Sequence, residues 1–276
     1  MPHPLAEVFG FPADNLTLNA ERHRTNKLCP FNNKVAECTK DKLADPLGVC
    51  SVSDGTSQAI TCPIRFRENW LIASDAAAFF FPAGAKYKTL TEIRLKDSTG
   101  GAAGNIDVVL VQINDEGEII DFGSLEIQAV YISGNVRNPF AWYMADRKKR
   151  FNADWKGANY PHPDYLSSSR KRLAPQMLTK GGIFKTWGKK QAIALHKNFY
   201  QTLPNLPELS ADKQAQADIA WFIYDLVKHP RENRLELKLM KTIYTEFSTA
   251  LAAITVSEAG NISTFEQQLT VKLAKS

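Results

Sequence analysis

IDVVLVQI (106–113) and SLEIQAVYI (124–132) are the two stretches on which the reading of this chain turns. Both are apolar enough to lie buried in a sheet. Each also carries a carboxylate that a buried strand would ordinarily exclude: Asp107 in the first, and Glu126 in the second, with Gln128 two positions on. Burying a carboxylate costs several kcal/mol, roughly, unless it is paired or binds a metal. A separation of two puts Glu126 and Gln128 on one face of their strand.

Outward from this pair, NDEG (114–117) is a turn. Upstream, LTEIRLK (90–96) alternates, with Ile93 and Leu95 on one face and Glu92 and Arg94 on the other, so it is a strand with one polar face. STGGAAGN (98–105) reads as a flexible turn. ENWLIASDAAAFFF (68–81) reads as a helix that Pro82 and Gly84 stop. Downstream, 189–203, 211–228 and 235–254 carry apolar residues near helical spacing, and Ser210 and Asp212 suit a helix N-terminus. The expected fold class is α/β of the α+β kind: a central mixed sheet flanked by helices, with a metal-stapled, loop-rich N-terminal lobe. The expected division is 1–67 for the lobe, 68–205 for the core with a basic segment, and 206–276 for a C-terminal helical region packed on the core.

Adjacent strands lie about 4.8 Å apart, so Asp107 and Glu126, with Glu92 from the preceding strand, can converge at one point. Two or three converging carboxylates make a hard oxygen site for Mg²⁺, able to activate water and neutralise charge on a scissile phosphate. A lone Asp in a strand is usually an edge or turn residue, and a lone Glu-x-Gln means little. It is the ordered combination, followed by a basic stretch, that points to a nuclease. The pattern resembles the PD-(D/E)xK nuclease fold, where Asp and Glu-x-Lys flank a hairpin. Gln128 stands where that fold usually has Lys, and no Pro precedes Asp107. Gln is uncharged; its amide can orient water but cannot supply a cation.

Cys29, Cys38, Cys50 and Cys62 are the only cysteines and lie within 34 residues, spaced C-x8-C-x11-C-x11-C. This is not the paired CxxC of zinc fingers. The N-terminus has no basic stretch followed by an apolar one, so the expected setting is cytoplasmic, where clustered thiols serve metals more often than disulfides. Four thiolates suit tetrahedral Zn²⁺ or a single Fe ion, and ligand type does not separate the two. The longest apolar run, near 76–82, is far too short to span a bilayer.

The chain of 276 residues has 34 Lys plus Arg against 29 Asp plus Glu, a mild +5 that permits nucleic-acid binding without demanding it. The basic residues concentrate between 146 and 190. Arg147, Lys148, Lys149 and Arg150 follow Trp142 and Tyr143, and Arg170, Lys171 and Arg172 precede Gln176. Such runs are usually solvated faces, but they also suit phosphate contacts. Arg170, Arg172 and Gln176 have the bidentate geometry that reads guanine or adenine. His162 and His196 have no neighbours in sequence that suggest a role.

HRTNKLCPF (23–31), ITCPIRF (60–66), TEIRLKD (91–97), GNIDVVLV (104–111), GSLEIQAVYISGNVRNPF (123–140) and SRKRLAPQ (169–176) occur in that order. The series resembles the NotI family of restriction endonucleases, from about residue 20 to about residue 190. The resemblance implies a prokaryotic type II enzyme, a homodimer that makes Mg²⁺-dependent double-strand breaks in a long GC-rich palindrome and leaves 5′-phosphates. It also implies a cognate DNA methyltransferase acting on the same sequence. It assigns catalysis to Asp107, Glu126 and Gln128 with Glu92 as a further acid, Mg²⁺ to Asp107 and Glu126, and a structural iron to the four cysteines. The Gln in place of Lys is a family trait. Competing readings are a nicking or repair nuclease with the same core, and a non-catalytic DNA-binding protein.

Overall fold

The computed structural model describes residues 3–42, 44–55, 57–256 and 259–275. The N-terminal part contains β1 Leu5–Val8, β2 Phe11–Pro12, α1 Leu18–Thr25, β3 Val49–Asp54 and β4 Ser57–Ile60. These strands form an antiparallel sheet in the order β2-β1-β3-β4, where the sequence suggested mostly loops. The strands are two to six residues long, too short for period-two alternation to show.

Helix α2 Leu71–Phe80 follows, then β5 Tyr87–Lys96, β6 Ala102–Ile113, β7 Ile119–Gln128, β8 Tyr131–Ser133, α3 Arg137–Ala145, α4 Arg147–Arg150 and β9 His162–Asp164. A helical run from Tyr165 to Thr186 comes next, with π-helical segments Ser169–Leu173 and Met177–Gly181 between α-helical ones. The chain continues through β10 Gln191–His196, a short helix Lys197–Gln201, β11 Ile219–Lys228, β12 Leu235–Thr245, and helices Phe247–Thr255 and Ile262–Leu273.

The central sheet runs β12-β11-β10-β7-β6-β5. Its middle pairs, β7 with β10 and β10 with β11, are parallel, and its outer pairs are antiparallel. This is the mixed sheet flanked by helices that the sequence led us to expect. Alternation along the strands sorts their side chains to two faces. Val108, Leu110, Leu125, Ile127, Ala192, Ala194 and Phe222 pack with Ile72, Ala73, Ala76 and Phe80 of α2. Burying a side chain such as Phe80 contributes about 2–3 kcal/mol. Gly123 allows the close approach, because a Cβ there would meet the Phe80 ring at 2.5 Å. The opposite face carries Ile193, Leu195, Trp221 and Ile223, covered by Leu173 and Met177 of the 165–186 run and by Phe199 and Phe247.

Several local readings are corrected. The helical patterns at 189–203, 211–228 and 235–254 contain β10, β11 and β12, so 206–276 is not a helical region but supplies two strands of the sheet. β10 is buried along its whole length and β11 along all but its last two residues. A strand covered on both faces shows no alternation and imitates a buried helix. β12 does alternate through Leu235, Leu237 and Leu239, a period-two signal that helical spacing obscured. The turn assigned to 98–105 is shorter: Asp97 Oδ1 accepts from the N–H groups of Thr99 and Gly101, and β6 starts at Ala102. The strand expected within 119–132, most clearly at 124–132, does start at Ile119 but breaks after Gln128. The Val130 N–H donates to the Ile60 carbonyl at 2.9 Å, and β8 pairs with β9 in a separate ribbon.

Candidate functional site

Asp107 and Glu126 meet where β6 and β7 part. The ladder between these strands stops at Val108–Leu125. One step further the same register sets Asp107 against Glu126, but the Asp107 side chain takes over the next rung: its Oδ2 accepts the Ile127 N–H at 2.8 Å. Glu126 and Gln128 alternate with Leu125 and Ile127, so they turn away from α2 toward the 165–186 run. There they line a small cavity with Leu173, Gln176, Met177, Lys180 and Gln191.

Lys180, which the sequence reading missed, reaches into this cavity. Its Nζ lies 2.6 Å from Glu126 Oε2 and 2.8 Å from the Asn105 carbonyl oxygen. The pair is nearly dry, with side-chain exposures of 6% for Lys180 and 11% for Glu126. One helical turn earlier, Gln176 Oε1 accepts from Gln128 Nε2 at 2.6 Å. Lys180 did leave a trace in the sequence. It stands in the apolar stripe Leu173, Met177, Phe184 at helical spacing, where a charge needs a buried partner.

Burial pushes the Glu126 carboxyl up to about 7. The adjacent Asp107 carboxylate pushes the same way, and Lys180 opposes both. Glu126 Oε1 and Gln128 Oε1 are buried with no hydrogen-bond partner. Such orphaned acceptors are rare in folded proteins and mark a place prepared for a donor or a cation. Asp107, the free Glu126 oxygen and the free Gln128 oxygen are all hard oxygen donors, which fits Mg²⁺.

Glu92 falls opposite Asp107 in the register, between the pairs Thr91–Val108 and Ile93–Ile106. It is exposed and has a left-handed backbone with φ +60°. A non-glycine residue held there stores strain, and such strain clusters at functional sites.

Cys50 lies on β3, Cys62 just after β4, and Cys29 and Cys38 in the segment between α1 and β3. All four are free thiols. Burial pushes the Cys29 thiol up to about 11, and it also raises those of Cys38 and Cys50. Neighbouring thiols add to this: Cys62 acts on the other three, Cys38 on Cys29, and Cys29 on Cys50. Each of the four thus lies within electrostatic range of at least one other. Backbone N–H groups of Phe31 and Asn32 favour the Cys29 thiolate, and that of Lys40 favours the Cys38 thiolate. This donor set has the chemistry of a thiolate metal site. Among the described residues, however, no three His, Cys, Asp or Glu side chains stand close enough together to hold a metal ion.

The basic runs divide by exposure. Arg147 pairs with Glu21 at 2.8 Å, and Arg150 donates to the Trp142 carbonyl at 2.6 Å while lying over its ring. Lys148 is exposed, and Lys149 is exposed beside Asp146 at 3.5 Å. Arg170 and Lys171 are exposed, whereas Arg172 is half-buried over Tyr131. His162 is exposed in β9. His196 is buried, with Nε2 3.1 Å from Asp225 Oδ1.

The family model of the restriction endonuclease NotI matches residues 14–237, a span that takes in the cysteines, β5 through β11 and Lys180. The chain belongs to the NotI restriction endonuclease family. No curated protein matches it. As a NotI-family protein it is a type II restriction endonuclease, a site-specific deoxyribonuclease that acts on double-stranded DNA. Among the described residues of this NotI-family chain, no helix is long and apolar enough to cross a membrane.

Proposed function

We propose that this restriction endonuclease cuts both strands of a GC-rich palindrome as a homodimer, using Mg²⁺ held by Asp107 and Glu126 and leaving 5′-phosphates. The observation that carries the reading is the pairing of these two carboxyls across β6 and β7, with Glu126 Oε1 and Gln128 Oε1 unpartnered beside them. Bound there, Mg²⁺ would neutralise charge on the scissile phosphate and favour deprotonation of water. Gln176 takes the amide N–H of Gln128, which leaves Gln128 Oε1 as the acceptor able to orient a water. Glu92 supplies a further carboxylate at the solvent edge. A two-fold dimer would present one such site to each strand of a palindrome.

Lys148, Lys149, Arg170 and Lys171 are exposed and able to reach phosphates. Arg147, Arg150, Arg172 and Gln176 contribute through the elements they brace or, for Arg172, from a half-buried position. The four cysteines hold a structural iron or zinc in the N-terminal part. A cytoplasmic enzyme of this kind requires a methyltransferase of the same specificity to protect its own genome.

The experiment is cleavage of large unmethylated DNA with Mg²⁺ against an EDTA control, with Asp107→Asn in parallel. Discrete fragments that vanish with EDTA and with Asp107→Asn support the reading. Full-rate cutting by Asp107→Asn would falsify the site. Nicked rather than linear plasmid would favour a single-strand nuclease, and metal-independent binding without cleavage would favour a binding protein.

A further inference from the structure

We infer that Lys180 is the cation of the cleavage site, reaching from the 165–186 run to do the work of the lysine that strand position 128 lacks. The inference rests on the metal-nuclease reading above and extends it to a residue outside the Asp–Glu-x-Gln pattern.

Charge is the first argument. Hydrolysis of a phosphodiester builds negative charge around phosphorus, and a fixed cation nearby lowers that barrier. Gln128 cannot supply one. Lys180 is the cation that meets Glu126, and it does so from the same side of the sheet as Gln128. With 6% of its side chain exposed, its field is little screened by water.

Valence is the second. An ammonium has three N–H groups. Glu126 Oε2 takes one and the Asn105 carbonyl another. Among the described residues no partner takes the third, which is left for the attacking water or a non-bridging phosphate oxygen.

Placement is the third. Lys180 lies in the second π-helical segment, Met177–Gly181, of the run that also carries Gln176 on Gln128. π-Segments inside helices recur at functional sites. The exposed Arg170 and Lys171 sit on the first, Ser169–Leu173. One helical run thus carries candidate phosphate contacts at one end and the two polar groups of the site at the other.

In the reaction the water oxygen bonds to phosphorus while the P–O3′ bond breaks, its electron pair leaving on O3′. The water gives a proton to solvent and O3′ takes one from solvent. Lys180 donates a hydrogen bond to the water and places its charge beside the phosphate.

The test is single-turnover cleavage of saturating DNA with Mg²⁺, alongside DNA binding without metal, in Lys180→Met and in the double variant Lys180→Gln/Gln128→Lys. Lys180→Met should cut about a hundredfold or more slowly, with binding within threefold of wild type. A rate within threefold of wild type overturns the inference. The double variant returns the charge from the strand. It should cut at no less than a tenth of the wild-type rate, and a slower rate overturns the inference even if Lys180→Met fails to fold. Asp107→Asn separates the two claims. If it is inactive while Lys180→Met is fast, only the role of Lys180 falls; if it is active, the metal-site reading falls.

Discussion

The Asp107 carboxylate accepts the Ile127 N–H at 2.8 Å and so replaces a main-chain rung between β6 and β7. One oxygen of the carboxyl is thereby tied to the sheet, next to Glu126. This makes Asn a faithful substitute, because its amide oxygen can accept the same bond. Asp107→Asn should melt close to wild type while losing about a thousandfold or more in cleavage, the several kcal/mol that a bound metal contributes. Asp107→Ala should also unfold more easily, by about 1 kcal/mol for the lost rung. Thermal melts of both variants beside wild type check the difference.

Glu126 predicts how the metal-free protein responds to pH. Its carboxyl titrates near 7 in the folded chain against an ordinary 4.5. Between these values the folded state holds the proton more tightly than the unfolded state, so stability is fully present below pH 4.5 and falls as pH rises through 7. Burial of the anion causes this loss, which levels off above pH 7 at on the order of 3 kcal/mol. Urea midpoints in EDTA at pH 5 and pH 8 should show the fall, and Glu126→Gln should flatten it. Mg²⁺ should raise the midpoint more at pH 8, where the carboxylate is formed. An equal rise at both values would argue against Glu126 as a ligand.

In the basic stretch, neighbours should behave differently. Arg147→Ala breaks the ion pair with Glu21 and should lower stability by about 1 kcal/mol. Lys148→Ala should leave melting within about 0.5 kcal/mol of wild type. The double variant Arg170→Ala/Lys171→Ala should weaken DNA binding and reduce the slope of log K against log salt by about 2. An unchanged slope would remove these two residues from the DNA interface.

Arg65 and Glu7 tie the N-terminal part to the core. Both side chains are fully buried, and Arg65 Nε reaches Glu7 Oε2 at 3.0 Å while its Nη2 donates to the Leu235 carbonyl at 3.1 Å. Arg65→Met should cost about 3–5 kcal/mol, because it strands the Glu7 carboxylate without its partner. A loss below about 1 kcal/mol, measured by urea unfolding, would contradict that account.

The cysteines give a prediction in metal content. On the proposed four-thiolate site, purified protein should carry about one iron or zinc per chain. Cys50→Ser should lose the metal and melt lower, since Cys50 is buried at the centre of the N-terminal sheet. Metal-free wild-type protein with unchanged melting would exclude a structural ion.

The sequence by itself determined β6 and β7 and the carboxylates they carry, because an acid in an otherwise apolar strand is anomalous wherever the strand lies. It also determined α2, where alanine and leucine end at Pro82, and the family, through an ordered series of motifs. The sequence also marked β5, but the tertiary structure alone decided β10, β11 and β12. β10 and β11 are buried on both faces, so the periodicity that distinguishes strand from helix is erased. It alone decided the partners of the site as well. Lys180 lies 54 residues from Glu126 along the chain, and Gln176 lies 48 from Gln128. Only the packing of the 165–186 run on the sheet brings those groups within hydrogen-bond distance. The same holds for the basic residues: side chains alike in sequence became structural at Arg147 and Arg150 and free at Lys148 and Arg170, according to which found an acid, a carbonyl or a ring beside it.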